Sequence, residues 1–272
     1  MPRTTTLHSL FASLHSKPQP LVIPNAWDAA SAALFADAGA SAVATSSASM
    51  AWSLGYADGG TLPRDELLST IWRIQRVIDI PLTVDLEDGY SNDPQTVATL
   101  VAEVADLGVA GINLEDGAQS PDLLADKIAA SRKALGALPL FINARTDVYL
   151  RGMAKGDAAV AMALERAAQY QVAGADGLFV PGMTNIENTS RLARQTALPL
   201  NLMLLPNMPS ISELFTAGAR RFTAGPANFQ TAYGHARTLA QALIVDHRVS
   251  GLFNNSLGYD AMNALVTGSL PG

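Results

Sequence analysis

A glycine joint repeated along the chain is the feature that most constrains the fold. Glycine followed by alanine or valine ends a helical segment and opens an apolar one at Gly39, Gly108, Gly174 and Gly218. Glycine suits the end of a helix because it adopts the left-handed backbone conformation without strain. From Leu21 onward, short apolar segments alternate with helical ones in eight such units. This alternation predicts a parallel sheet, and eight units favour a closed (β/α)8 TIM-type barrel over the alternative, an open doubly wound sheet.

The length of the chain fits this architecture. A chain of 272 residues can form one large α/β domain, and barrels of this type commonly have about 250 residues. We therefore predict a single barrel domain over residues 1–272, with an N-terminal helix and linker at 1–20 and additional C-terminal helices in a tail at 229–272. A long loop is predicted from Ser47 to Thr61, between the second strand and the next helix.

The composition excludes several classes of function. The net charge of −6 offers no basic surface to a nucleic acid or an anionic membrane, so neither is an expected partner. The absence of cysteine removes disulfides, thiolate nucleophiles and cysteine-bound zinc. The N-terminus lacks the apolar core of a signal peptide, and no apolar run reaches the roughly 18 residues of a membrane span. These features predict a cytoplasmic protein.

Charged side chains collect where three of the predicted strands end. In chain order they are Asp85, Glu87 and Asp88, then Glu115 and Asp116, then Arg145 and Asp147. Carboxylates this close together repel one another by roughly 1 kcal/mol or more per pair, and a bound cation compensates them. In a barrel, the C-terminal ends of the strands meet on one rim, where catalytic groups lie. The sequence therefore predicts a polar site on that rim.

The acids of this rim have alternative interpretations. An isolated acid after a strand commonly caps a helix or belongs to a loop, whereas carboxylates at successive strand ends suit Mg²⁺. We interpret Asp85, Glu87 and Glu115 as the candidate metal set. Asp88 and Asp116 each precede a glycine, so they fit either a turn or the metal site.

Groups that bind anions are predicted on the same rim. Arg145 forms either a salt bridge to a neighbouring acid or a paired hydrogen bond to a substrate carboxylate. The small-residue segment 44–49 can present consecutive backbone N–H groups to an anion, although a flexible linker is the alternative. Asp58 lies between glycines, in a segment that also fits a simple turn.

No histidine receives a catalytic role from the sequence. His8 and His15 precede the barrel, and we expect them at the surface. His235 and His247 fall in the C-terminal tail without the spacing of a metal-binding pair.

Six short motifs together resemble those of the isocitrate lyase/phosphoenolpyruvate mutase superfamily, by their order and spacing. They are Pro-Asn-Ala-Trp-Asp-Ala (24–29), Thr-Ser-Ser (45–47), Ser-Leu-Gly-Tyr-Ala-Asp-Gly-Gly (53–60), Val-Asp-Leu-Glu-Asp-Gly-Tyr (84–90), Ile-Asn-Leu-Glu-Asp (112–116) and Ala-Arg-Thr-Asp (144–147). The resemblance covers roughly residues 20 to 235. It implies an α/β barrel that binds Mg²⁺, or alternatively Mn²⁺, and a 2-oxo acid or its enolate. It also implies the making or breaking of a C–C or P–C bond beside the carbonyl.

The resemblance implies a role for each acid of the metal set. Asp85 would be the direct ligand, while Glu87 and Glu115 would hold the metal through water. Two positions depart from the superfamily pattern, since Glu87 stands where many members have aspartate and Asp88 stands where threonine is usual. The longer side chain at 87 is expected to shift the metal slightly.

The resemblance also implies a substrate site. The substrate-binding residues would be Trp27, Ser46, Ser47, Ala48 and Arg145, with the backbone at 46–48 and the guanidinium holding the carboxylate and the developing oxyanion. The catalytic residues would be Asp58, near the substrate, and Arg145.

The lid of the related lyases is missing from this chain. Those enzymes have a Lys-Lys-Cys-Gly-His segment after the Glu-Asp pair, whereas here Glu115-Asp-Gly-Ala-Gln-Ser-Pro leads directly into a helix. The cysteine acid/base, the lysines and the histidine are absent, and the lysine and asparagine of a mutase-type lid are not evident. Decarboxylation requires the least beyond an enolate-stabilising site, because loss of CO₂ generates the enolate without a protein base.

These features predict a Mg²⁺-dependent lyase or decarboxylase acting on a small 2-oxo or 2-hydroxy carboxylic acid, such as oxaloacetate, through a metal-stabilised enolate. The first alternative is a P–C bond enzyme, a mutase or hydrolase acting on phosphonopyruvate or phosphoenolpyruvate. The second is a non-catalytic barrel that binds a metal and a carboxylate. The resemblance also implies a homo-oligomer, a dimer or tetramer, with which the long tail is compatible.

Overall fold

The computed structural model describes residues 3–254 and 256–267 and contains a ring of parallel strands. Within these residues the strands are β1 (Leu21–Ile23), β2 (Asn25–Ala26), β3 (Val43–Thr45), β4 (Leu82–Asp85), β5 (Gly111–Glu115), β6 (Phe141–Arg145), β7 (Gly177–Phe179), β8 (Leu200–Met203) and β9 (Ala219–Thr223). Their order in the sheet is β1-β9-β8-β7-β6-β5-β4-β3-β2. The prediction of a (β/α)8 TIM-type barrel is confirmed.

The first two strands are two halves of one barrel strand, interrupted at Pro24. Proline has no N–H to donate to a ladder, so the pairing changes there. β1 pairs with β9 and β2 pairs with β3, while the Pro24 carbonyl still accepts a hydrogen bond from the Ala44 N–H at 3.0 Å. The nine described strands therefore occupy the eight positions that the sequence predicts.

Helices follow the strands and cover the outside of the ring. In the described residues they are α1 (Arg3–Leu14), α2 (Ala29–Asp37), α3 (Ser47–Ser53), α4 (Arg64–Gln75), α5 (Pro94–Asp106), α6 (Pro121–Leu135), α7 (Gly156–Ala173), α8 (Ile186–Gln195), α9 (Ile211–Thr216), α10 (Ala227–Ile244) and α11 (Tyr259–Thr267), with a 3₁₀ turn at Ser250–Phe253. The C-terminal tail is helical, as expected, up to Ile244 and again in α11. None of the helices within 3–254 and 256–267 is both long and apolar enough to cross a membrane.

The segment from Ser47 to Thr61 is not a continuous loop, and that prediction is wrong over its first half. Helix α3 begins there, capped by Ser46, whose Oγ accepts a hydrogen bond from the Ser49 N–H at 3.3 Å. The buried Met50 side chain anchors the helix to the core. Because serine and alanine are compatible with both loops and helices, this composition did not reveal the helix.

The main core lies between the strands and the outer helices. Strand and helix residues share one buried apolar cluster, which includes Val84 and Ile112 from the strands and Val101 from α5. The helix α5 is set by the Asp93 side chain, which accepts a hydrogen bond from the Thr96 N–H at 2.9 Å, and by proline at its first position. The outer helices therefore hold the strands in place by packing on the outside of the barrel, and the barrel interior takes no part in this packing.

The N-terminal end of the barrel is closed by α1. Phe11 is fully buried and forms an edge-to-face contact with Phe141, with ring centroids 5.5 Å apart. The His15 ring stacks on Phe141 at 4.1 Å, and its Nδ1 lies 2.9 Å from the Phe11 carbonyl oxygen. His8 and His15 are therefore buried rather than at the surface, because α1 inserts one face into the barrel. The expectation from the sequence was wrong for both.

Candidate active site

The C-terminal ends of the strands surround two adjoining cavities. One, of about 200 Å³, reaches into the barrel, and its wall includes Asn25, Asp85 and Asn113. The other, of about 330 Å³, lies nearer the surface, and its wall includes Glu87 and Glu115. Ser47, Asp58, Arg145 and Leu150 line both. The rim that the sequence predicted is therefore a concave polar site.

Asp85 lies at the end of β4, at the inner cavity. Its Oδ2 accepts hydrogen bonds from the Ser47 Oγ at 2.8 Å and from the Ser47 N–H at 3.4 Å. Its own N–H donates to the Thr45 Oγ1 at 2.9 Å, which joins β4 to β3. The second carboxylate oxygen, Oδ1, is buried and has no hydrogen-bond partner within the described part of the chain. One oxygen is therefore fixed in position while the other stays available.

Two further carboxylates are desolvated beside it. Burial raises the pKa of Glu87 to about 7, and the charges of Asp85 and Asp58 add to the rise. Burial also raises the pKa of Glu115 to about 8, against the opposing effect of the Arg145 guanidinium. Glu87 has a backbone φ of 51°, which is unusual for a residue with a side chain. A site that holds three acids in this way stabilises a bound cation.

Arg145 lies at the end of β6 and contacts two of the acids. Its Nη1 lies 2.5 Å from the Glu115 Oε2, while its Nε and Nη2 donate to the two Asp147 oxygens at 2.7 and 3.2 Å. Burial acts to lower the pKa of Arg145, but the charges of Glu115, Asp147 and Asp85 outweigh it and raise that pKa. The salt-bridge interpretation thus describes this state of the side chain, and a role in substrate binding stays a prediction.

Asp116 is a structural residue under this site. It is buried, and its Oδ2 accepts hydrogen bonds from the Tyr170 hydroxyl at 2.6 Å and the Arg166 Nη1 at 2.7 Å. Its Oδ1 accepts one from the Asp147 N–H at 2.9 Å. These contacts join α7 to the turn after β6 and leave Asp116 no part in the cavity wall.

Asp88 supports the turn that follows Glu87. Its Oδ1 accepts a hydrogen bond from the Tyr90 N–H at 2.9 Å, and its Oδ2 accepts one from the Gln119 Nε2 at 3.0 Å. The buried Lys127 donates to the Asp88 carbonyl at 2.7 Å. Asp88 is thus used as a turn residue rather than in the cavity wall.

The predicted anion-binding segment forms the start of α3. Ser46, Ser47 and Ala48 all line the inner cavity. The Ser46 N–H donates to the Ala26 carbonyl at 3.3 Å, and the Ser47 N–H faces Asp85. Ala48 carries one of the first-turn amides, which have no partner at the i−4 position within a helix. Of the three predicted amides, the Ser46 N–H is therefore already used by the sheet.

The remaining two predicted site residues differ in their position. Asp58 is exposed and lines both cavities, so the structure brings it to the site. The Trp27 ring instead makes edge-to-face contacts with Phe229 at 5.2 Å and with Phe35 at 6.3 Å. Trp27 does not line either cavity, and its role in binding substrate stays a prediction.

The acids of the site fit a metal ion held by one direct protein ligand. In residues 3–254 and 256–267, no three histidine, aspartate or glutamate side chains already stand close enough to coordinate one ion. The free and buried Oδ1 of Asp85 supplies one oxygen, and burial raises the pKa of Glu87 and of Glu115, an effect that a cation beside them would oppose. Mg²⁺ commonly takes one or two carboxylates and keeps several waters. The donor set therefore suits Mg²⁺ with Asp85 as the direct ligand.

Sequence reasoning did not assign several polar residues of the cavity walls, among them Asn113, Asn25 and Arg151. Asn113 lines the inner cavity and accepts a hydrogen bond from the Asn143 Nδ2 at 2.9 Å. Its signal was present, since it precedes Glu115 by two residues on one strand face. Asn25 also lines the inner cavity. Its Oδ1 accepts hydrogen bonds from the Ala224 and Gly225 N–H groups, which fixes the turn after β9. Arg151 lines the outer cavity from a turn whose course the sequence did not define.

Comparison with known proteins identifies the family. The family model for phosphoenolpyruvate phosphomutase matches residues 11–244. The chain is 33% identical over 206 residues to the 2-methylisocitrate lyase of Salmonella typhimurium, covering 72% of this chain and 70% of that protein. It is 28% identical over 234 residues to the oxaloacetate decarboxylase of Pseudomonas fluorescens, covering 81% and 79%.

The fold agrees with that assignment. The structure of oxaloacetate acetylhydrolase in complex with the product oxalate superimposes with a TM-score of 0.85 at 22% identity, over 96% of this chain and 94% of that one. This likeness concerns the fold alone. The matches in sequence and fold together place the chain in the phosphoenolpyruvate phosphomutase family, within the isocitrate lyase/phosphoenolpyruvate mutase superfamily of lyases and mutases.

Proposed function

We propose that this protein is a Mg²⁺-dependent carbon–carbon lyase that decarboxylates a small 2-oxo acid of the oxaloacetate type. The observation that carries the proposal is the buried, unpartnered Oδ1 of Asp85 beside two desolvated glutamates in the mouth of the barrel. The relationship to an oxaloacetate decarboxylase and to a 2-methylisocitrate lyase supports it. Asp85 would hold the metal directly, and Glu87 and Glu115 would hold it through water.

The residues of the cavity walls would position the substrate and the metal. When bound, Mg²⁺ acts as a Lewis acid that stabilises negative charge on an enolate oxygen. Ser47 orients Asp85, and Ala48, which carries a first-turn N–H of α3, also lines the inner cavity. In decarboxylation the C–C bond electrons remain on the substrate carbon, CO₂ leaves, and the enolate then takes a proton from solvent. Asp58 is exposed and lines both cavities, and on this proposal it would pass that proton to the enolate.

The cavity walls favour decarboxylation over cleavage of a hydroxy acid. Cleavage next to a hydroxyl requires a base to take the hydroxyl proton and an acid to protonate the product carbon. The residues that line the two cavities include no histidine, lysine or cysteine, and the proposal assigns the two glutamates among them to the metal. Helix α6 begins at Pro121, five residues after Asp116, so the short connection has no room for a long lid. A reaction that forms the enolate without a protein base fits these walls.

The proposal is tested by ¹H NMR of oxaloacetate with the protein, with and without Mg²⁺. We expect conversion to pyruvate to exceed the metal-catalysed background only when wild-type protein and Mg²⁺ are both present, and Asp85→Ala to remove the excess. Asp157→Ala is the matched control, because Asp157 is an exposed aspartate on α7 away from both cavities. An Asp85→Ala protein that is folded and as active as wild type contradicts the proposal.

A P–C bond reaction is the second candidate, because the family model that matches is that of phosphoenolpyruvate phosphomutase. Phosphonopyruvate and phosphoenolpyruvate therefore belong in the same panel, followed by ³¹P NMR. Interconversion or release of phosphate without loss of oxaloacetate would favour this candidate. Binding of oxalate with Mg²⁺ without turnover of any of these acids would favour a non-catalytic metal- and carboxylate-binding barrel.

We further propose that copies of the chain associate into a dimer or tetramer through the C-terminal tail. Its apolar side chains Ile244, Val245, Phe253 and Tyr259 are 70% or more exposed. Such a surface is typical of an interaction site. Light scattering should give a multiple of 28.5 kDa, and the double substitution of Ile244 and Val245 by serine should reduce it. Val172→Ser, at a 91% exposed position on α7, is the control. A wild-type monomer at micromolar concentration contradicts this proposal.

A further inference from the structure

The two arginines of the outer cavity differ in the number of guanidinium nitrogens that are free. In Arg145 all three face carboxylates, since Nη1 pairs with Glu115 while Nε and Nη2 donate to Asp147. In Arg151 only Nε makes such a contact, 3.3 Å from the Asp147 Oδ2. Among the described residues, Nη1 and Nη2 of Arg151 have no hydrogen-bond partner. The cation that can accept a new anion at this cavity without losing its present contacts is therefore Arg151.

The backbone that carries Arg151 is fixed. The Arg151 N–H donates to the Asp147 carbonyl at 2.9 Å, and the Met153 N–H donates to the Val148 carbonyl at 2.9 Å. On the other side of the turn, a β-carbon at Gly182 would lie 2.9 Å from the Leu150 nitrogen, which shows how closely the two segments pack. A free guanidinium on a fixed turn is a preorganised anion-binding group, because little backbone entropy is lost on binding.

The position of Arg151 is at the outer edge of the acid cluster. It lines the same cavity as Glu87 and Glu115, and its side chain is 49% exposed. Its Nη2 lies 3.9 Å from the position that a β-carbon on Gly117 would take, in the short connection after β5. A carboxylate that reached this edge would be held by the planar pair of donors that guanidinium offers.

We infer that Arg151 determines specificity by binding the second carboxylate of a dicarboxylic substrate, the one remote from the 2-oxo acid end, and that it holds this carboxylate until it leaves as CO₂. This inference rests on the proposed function and narrows its substrate class to small 2-oxo dicarboxylic acids. A 2-oxo monocarboxylic acid of the same length leaves Arg151 without a partner and binds more weakly. Arg145 keeps its contacts with Glu115 and Asp147 and stabilises that wall.

The test is calorimetric binding in the presence of Mg²⁺ with three probes: oxalate, 3,3-difluorooxaloacetate and 2-oxobutyrate. The last two have the same number of chain carbons and differ in the second carboxylate and in the two fluorines, so each variant is compared with wild type on the same probe. We expect Arg151→Gln to weaken binding of the dicarboxylate by about 10- to 100-fold, as for loss of a charge-assisted hydrogen-bonded pair. Binding of oxalate and 2-oxobutyrate should change by less than about twofold, and Arg151→Lys should restore part of the loss.

The matched control is Arg64→Gln, which removes a half-exposed arginine that pairs with Glu103 and lines neither cavity. It should leave all three affinities unchanged, and the unfolding temperature of each variant checks its fold. An Arg151→Gln protein that binds the dicarboxylate as well as wild type, or loses all three probes equally, overturns the inference. Wild-type protein that binds no oxalate with Mg²⁺ overturns the proposed function and this inference with it.

Discussion

Charged side chains are arranged in opposite ways at the two ends of this barrel. At the C-terminal end, Asp85, Glu87 and Glu115 line open cavities, and Glu115 pairs with Arg145. Inside the N-terminal half, Arg221 on β9 is 1% exposed, and its three guanidinium nitrogens have no hydrogen-bond partner in the described part of the chain. One end concentrates negative charge where a ligand can reach it, and the other buries a positive charge where none can.

The surroundings of Arg221 explain how the barrel tolerates it. Its guanidinium lies over the Phe11 ring at 5.6 Å, in a cation–π arrangement. Burial lowers the pKa of Arg221 to about 9, while the charge of Asp85 opposes that effect. The difference between the ends teaches that buried charge destabilises the fold where it has no partner and serves function where a ligand can neutralise it.

The largest effect is expected from Phe11→Ala, at the closed end. Phe11 is fully buried and contacts both Phe141 and His15, so its removal leaves a cavity and lowers the free energy of unfolding by about 3–5 kcal/mol. Urea denaturation measures this loss. Turnover by the folded protein should stay near that of wild type, because α1 lies at the end opposite the cavities.

Leu10→Ala is the matched control for this prediction. Leu10 is on the same helix and is 40% exposed, so its removal should cost about 1 kcal/mol or less. Equal losses for the two substitutions would contradict the view that α1 is anchored by the face that enters the barrel.

At the open end, Ser47→Ala should reduce Mg²⁺ affinity and turnover by about 10- to 100-fold. The Ser47 Oγ holds Asp85 at 2.8 Å, and partners that orient a metal ligand have effects of this size. Metal titrations of the activity measure the change. Ser53→Ala, on the same helix, removes only a bond to the Met50 carbonyl and should leave affinity unchanged. Equal losses of Mg²⁺ affinity for Ser47→Ala and Ser53→Ala would show that the serines act by stabilising α3 and not by orienting Asp85.

Arg221→Met should raise the free energy of unfolding by about 1–3 kcal/mol. An apolar side chain of related length removes a buried charge that lacks hydrogen bonds, and such replacements are often stabilising. Urea denaturation at neutral pH measures the gain. Arg220→Met is the control, since Arg220 is on the same strand but stacks on Phe215 at 4.8 Å and should give a small loss. A lower free energy of unfolding for Arg221→Met as well would mean that the Arg221 charge is compensated in the folded protein.

The smallest expected effect, counted per pH unit, is a dependence of the free energy of unfolding on pH that comes from His15. Burial, and then the charge of Arg221, lower the pKa of His15 to about 3 from 6.5. Between pH 6.5 and about 3, His15 is protonated in the unfolded chain but neutral in the folded protein, so the free energy of unfolding falls as the pH falls. His15→Phe cannot titrate and should gain about 1.4 kcal/mol relative to wild type for each pH unit below 6.5. A difference between the two proteins that does not vary from pH 7 to pH 5 contradicts this.

The sequence by itself determined the elements of the barrel and most of its rim. The glycine joints and the alternation of segments predicted the parallel ring, because both reflect local backbone preferences. The acids at strand ends predicted a polar rim, because parallel strands all end on one side. Of the predicted site residues, only Trp27 lies outside both cavity walls. The single-domain organisation and the cytoplasmic location stay predictions.

Only the tertiary structure decided which side chains face one another. The burial of His15, the helix at Ser47 and the isolation of Arg221 all depend on packing between segments far apart in the chain. The same holds for the contrast between a fully engaged Arg145 and a mostly free Arg151. Local sequence sets backbone conformation and strand direction, whereas hydrogen-bond partners and desolvation depend on distances that exist only once the ring has closed.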